Sequence, residues 1–104
     1  MEQVVFWELR RREKRFFFSK NGYECDFVTL TRAGDVADII QVCSDFSDPQ
    51  TLSREKKGIT MACKQLNAFH GTIITYDRQE KIEEDGISID LVSLPVFLTQ
   101  NQTS

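Results

Sequence analysis

A carboxylate inside an apolar strand needs a partner, and Asp26, set between Cys25 and Phe27 in the run YECDFVTL, is such a carboxylate. The partner is either a hydrogen-bonding group or a cation, and a hard divalent ion such as Mg²⁺ takes oxygen ligands. Gln41 and Cys43 follow 15 and 17 residues further on. Being two apart, they share one face of a strand. An amide oxygen can ligate a metal without bringing charge, whereas a thiol is a soft ligand. Glu8, near the start of the chain, is placed for a helix-to-sheet contact, so Glu8 and Asp26 form the candidate metal pair. For Cys43 to act as a nucleophile it would need an adjacent base to depress its pKa, and the sequence provides none beside it. His70, the only histidine, follows a helical segment and reads as a capping or surface residue, so no nucleophile–histidine triad is expected.

The elements that must position these residues follow from patterning. Val4, Val5, Trp7 and Leu9 predict a short amphipathic helix over Glu2 to Glu13, which starts almost at Met1 without a good cap, as if cut from something longer. RFFFSK and YECDFVTL read as a hairpin joined by Asn21-Gly22, the preferred type I′ turn pair. VADIIQVC is the next strand, with Ala37, Ile39, Gln41 and Cys43 on one face and Val36, Asp38, Ile40 and Val42 on the other. The long helix is SDPQTLSREKKGITMACKQLNAF, capped by Asp48 with Pro49 at its first position and with Leu52, Ile59, Ala62, Cys63, Leu66 and Phe69 as its apolar stripe. TIITYD is a strand covered on both faces, so strand, helix and strand form a β-α-β unit whose strands run parallel. A second hairpin turns at Asp85-Gly86, Pro95 ends its strand, and residues 99–104 form a polar tail. The expected class is α/β with a mixed sheet in one domain spanning residues 1–98.

Composition sets the wider bounds. A chain of 104 residues, 40% hydrophobic and 28% charged, builds one globular core. No apolar run reaches membrane-spanning length, so no membrane partner is expected. Three cysteines, Cys25, Cys43 and Cys63, lack a C-x-x-C spacing, so reduced thiols in a cytoplasmic protein are the expectation. The net charge is −3, yet Arg10, Arg11, Arg12 and Arg15 concentrate positive charge where a phosphate backbone would dock. Trp7 and Phe18 are expected to leave an apolar patch that favours a homodimer.

Four stretches, NGYECDFV, IIQVCSDFSDPQT, REKKG and GTIITYD, resemble the C-terminal domain of unknown function that follows the AAA+ core of bacterial and archaeal ATPases. The resemblance runs from about Val5 to Leu98, and it implies a restriction-endonuclease-like core of the PD-(D/E)xK superfamily. In that pattern Glu8 and Asp26 match the helical acid and the first strand acid. Gln41 stands where the second acid belongs and Cys43 where a lysine belongs, so the implied site is degenerate. A relocated lysine would be Lys56 or Lys57 on the crossover helix. There is no G-x-x-x-x-G-K-[ST] motif, so ATP turnover is not expected of this chain. The resemblance therefore implies a non-catalytic binding or docking module, with DNA and an ATPase domain or subunit as partners. Its alternative is a Mg²⁺-dependent DNA endonuclease that uses Glu8, Asp26 and the relocated lysine.

Overall fold

The computed structural model describes residues 2–12, 15–18, 27–43 and 48–99. Three helices and six strands follow in the order α1 (Glu2–Arg11), β1 (Arg15–Phe18), β2 (Phe27–Leu30), β3 (Val36–Val42), α2 (Pro49–Gln65), β4 (His70–Thr75), β5 (Glu80–Glu84), β6 (Ile87–Ser93) and α3 (Leu94–Thr99). The strands form one mixed sheet in the order β1-β2-β3-β4-β6-β5. β1, β2 and β3 pair antiparallel, β3–β4 and β4–β6 pair parallel, and β5 returns antiparallel along β6. The α/β class and the parallel strand–helix–strand unit of the sequence reading are thus present.

Each sheet face buries its own apolar set. Val28, Ile39, Ile73 and Ile89 pack against Ile59, Ala62 and Cys63 of α2. On the other face Phe27, Ile40, Ile74 and Val92 pack against Val5 and Leu9 of α1 and Phe97 of α3. β4 is buried from Gly71 to Thr75, as expected of a central strand covered on both sides. A Cβ on Gly71 would lie 2.8 Å from Ile59 Cδ1, so glycine is what lets α2 approach the sheet this closely. Among the described residues, no helix is long and apolar enough to cross a membrane.

Local chemistry explains where the elements stop. Asp48 caps α2, its carboxylate accepting from Gln50 N at 2.9 Å, with Pro49 in the first turn. The helix ends at Gln65 rather than running on to Phe69, because Asn67 takes a left-handed φ of 55° and the backbone N–H of Ala68 turns back to Cys63 O. Phe69, read as part of the buried stripe, is consequently 78% exposed. Asp85 and Gly86 have φ of 52° and 80°, the positive values a type I′ turn requires, and they join β5 to β6 as expected. Pro95 does more than end a strand: it lies in the first turn of α3, where its missing N–H is tolerated. The described part of α1 closes at Arg11. The Asn21-Gly22 turn lies outside the described residues, although β1 and β2 pair antiparallel with Phe18 opposite Phe27.

One register detail alters the expected face pattern. Thr29 pairs with Asp38 and Leu30 with Val36, leaving Ala37 unpaired in a bulge. From Asp38 onward the alternation holds as read, but Val36 packs with the α2-side core and Ala37 borders a cleft on the α1 side.

Candidate functional site

A row of polar residues from three strands converges on the α1 side of the sheet. Asp38, His70, Thr72 and Asp90 come from β3, β4 and β6, which the parallel register places side by side, with Ile40 opposite Thr72 and Thr72 opposite Asp90. His70 Nδ1 lies 2.9 Å from Asp38 Oδ1, and Nε2 lies 3.0 Å from Asp90 Oδ2. Both nitrogens can donate to a carboxylate only when the ring is an imidazolium. The hydrogen bond to Asp38 is the main cause that lifts the His70 pKa to about 9; partial burial opposes it, and the bond to Asp90 together with the two carboxylate charges adds to it. Asp38 is held further by Ile39 N at 2.9 Å and by the Thr72 hydroxyl at 2.8 Å.

This row forms the polar strip of a cleft of about 470 Å³, whose apolar wall is Leu9, Ile40, Val92 and Phe97. Arg12 also lines it. Its Nε donates to Glu8 Oε2 at 2.6 Å, its Nη2 donates to the Phe97 carbonyl, and its guanidinium lies 4.7 Å from the centroid of the Phe97 ring. Arg11 donates to both oxygens of Glu8, at 3.1 and 2.6 Å. Glu8 is only 7% exposed, and these guanidinium contacts, Arg11's foremost, hold its pKa below the usual carboxylate value against the cost of burial. α1 thus carries its own acid–base clamp and fastens to α3 through Arg12.

The residues singled out from the sequence are distributed differently. Glu8 lies in the α1 layer. Gln41 points to the opposite layer, where its Nε2 donates to Glu55 Oε2 of α2 at 2.7 Å, and its buried Oε1 has no partner among the described residues. Cys43 is buried in the α2-side core. The sheet therefore separates Glu8 from Gln41 and Cys43. Asp26 and the side chain of Arg15 lie outside the described residues. Lys56 is 3.7 Å from Glu84 on β5, Lys64 is 3.0 Å from Asp85, and Lys57 is exposed. Arg10 is exposed beside the Phe6 ring, and Arg11 keeps an exposed side chain while holding Glu8, whereas Arg12 turns inward.

The donor chemistry decides how far Mg²⁺ fits. It needs several oxygen ligands converging in octahedral geometry. Both oxygens of Glu8 face guanidinium groups, and Gln41 lies across the sheet. Among the described residues no group of three or more His, Cys, Asp or Glu side chains is arranged to hold a metal ion. Glu8 is thus taken up by guanidinium groups, and Asp26, its expected partner, lies outside the described residues.

Asp38 and Asp90 are not among the candidates drawn from the sequence, which assigns His70 a capping or surface role. The signal was present: VADIIQV and ISIDLVS each carry a carboxylate inside an apolar strand, the same feature that drew attention to Asp26. Comparison with protein-family models, with curated proteins and with solved structures gives no match for this chain.

Proposed function

We propose that the chain is a restriction-endonuclease-like domain that has given up catalysis and serves as a binding or docking module, with DNA and an ATPase domain or subunit as its partners. The observation that carries this reading is the state of the β3 end. In an active nuclease of this kind, an acid and a lysine two residues apart hold the metal and the attacking water. Here that pair is Gln41, engaged with Glu55, and Cys43, sealed in the core. The element order supports the family reading: a helix, three antiparallel strands, a crossover helix and a strand parallel to the third. Arg10 and Arg11, exposed at the end of α1, supply a basic surface for a phosphate backbone.

Incubation of supercoiled and branched DNA with the protein and Mg²⁺ or Mn²⁺ tests the proposal. Salt-sensitive DNA binding without strand cutting is the expected result. Metal-dependent cutting that disappears in Asp26→Ala would overturn it in favour of an endonuclease. Absence of DNA binding at low salt would remove DNA from the partners and leave the docking role to be tested with an ATPase domain.

A further inference from the structure

The polar strip of the cleft beneath α1 and α3 has spare hydrogen-bonding capacity of one kind. Both N–H groups of His70 are spent on Asp38 and Asp90. Thr72 gives its hydroxyl hydrogen to Asp38 Oδ2, and Thr29 gives its own to the Asp38 carbonyl at 3.4 Å. What still faces the cleft is acceptor capacity: Asp90 Oδ1, which takes no hydrogen bond from the described residues, and the remaining lone pairs of Asp38 Oδ2 and the Thr72 hydroxyl.

Charge points the same way. Two carboxylates against one imidazolium leave the strip itself with one net negative charge, while Arg12, which lines the cleft, is engaged with Glu8 and the Phe97 carbonyl. The elevated pKa of His70 keeps the ring cationic at neutral pH, so its N–H groups remain committed to the two aspartates. The opposite wall is apolar, and about 470 Å³ is within the range of small-molecule sites. Ligands of such sites are held by buried apolar contact and oriented by a few polar groups.

We propose that this cleft binds a small molecule with an apolar body and a primary ammonium group, the ammonium seated against Asp90 and Asp38 and the body against Phe97 and Val92. An ammonium has three donors and no acceptor, which complements a strip offering acceptors alone. One positive charge also neutralises the strip. A carboxylate or phosphate ligand would meet like charge and find no free donor on the strip. The site stands on the opposite sheet face from Gln41 and Cys43, so it is independent of the nuclease-like reading.

Three probes of similar size separate the contributions: benzylamine, benzyl alcohol and benzoate, each titrated at pH 7 and low salt into the isotope-labelled full chain and followed by amide NMR shifts. Benzylamine should give saturable shifts at Thr72, Asp90 and Val92, with an affinity at least tenfold above that of either analogue. Asp90→Asn should weaken benzylamine about tenfold while leaving benzyl alcohol unchanged. A strip that serves only to tie the strands together predicts no saturable shift from any probe, and that result would overturn the proposal. Equal binding of the amine and the alcohol would do the same, because it would reduce the cleft to an apolar slot. The comparison of probes on the unaltered chain decides the matter even if Asp90→Asn does not fold.

Discussion

Replacing Glu8 with alanine removes the acceptor that Arg11 and Arg12 share and leaves the 12%-exposed Arg12 with its Nε unpaired. A loss of about 2 kcal/mol is expected from stranding a buried charged donor, read as a lower denaturant midpoint. Because folding lowers the pKa of Glu8, its contribution is complete above the ordinary value of 4.5 and fades as pH falls through the folded value. Wild type should therefore lose stability in acid by a step that Glu8→Ala lacks. His70 has the opposite sign. Its pKa rises from 6.5 to about 9 on folding, so its contribution is full below pH 6.5 and disappears as pH climbs through 9. The ring is 41% exposed, and solvent screening reduces the effect to about 1 kcal/mol. Urea midpoints measured at pH 6, 7.5 and 9.5 should decline for wild type and stay level for His70→Gln. A flat wild-type profile would mean that the imidazolium bridge adds nothing to folding.

The elements were legible wherever a local signal fixes them. Asp48-Pro49 marks the start of α2 and Asp85-Gly86 marks the β5–β6 turn, because caps and positive-φ turns are written in adjacent residues. The end of α2 was harder to read, since apolar spacing continued through Phe69 while a single left-handed Asn67 broke the helix. α3 was missed because Pro95 reads as a strand breaker unless it is placed in a first turn. The polar strip was legible only in pieces: each carboxylate stands out in its own strand, but Asp38 and Asp90 meet His70 across 32 and 20 residues, and only the parallel register brings them together. Gly71→Ala is the sharpest test of how α2 sits on the sheet. Its Cβ would press on the fully buried Ile59, at a cost of about 1–3 kcal/mol, visible as a lower thermal midpoint. Gly86→Ala introduces no clash but must hold φ near 80°, for about 1 kcal/mol. If Gly71→Ala costs nothing, crowding between α2 and the sheet is not what selects glycine at position 71.

At the scale of the whole molecule, α1 carries two of the exposed large apolar side chains among the described residues, the others being Met61, Phe69 and Tyr76. Trp7 is 64% exposed and Val4 42%, as the sequence reading expected for Trp7, while the side chain of Phe18 lies outside the described residues. Two aromatic rings in T-shaped contact, Phe6 and Trp7, make a rigid knob with Arg10 beside it. Light scattering should detect concentration-dependent association of the wild type that Trp7→Ser weakens severalfold. A strictly monomeric wild type at high concentration would remove the patch as an association surface.

The two borders of the sheet differ in a way that limits any such assembly. Among the described strands, β5 on one border presents Glu80, Lys81, Glu83 and Glu84 around a single Ile82, whereas β1 on the other has the sequence Arg-Phe-Phe-Phe. Charged borders resist the addition of a foreign strand. Head-to-tail stacking would have to join an unlike pair of borders, one of them blocked by charge, whereas a twofold pair needs one border alone. Were copies to add at β1, the pair would present only β5 borders to a third copy, and their charge would oppose further growth.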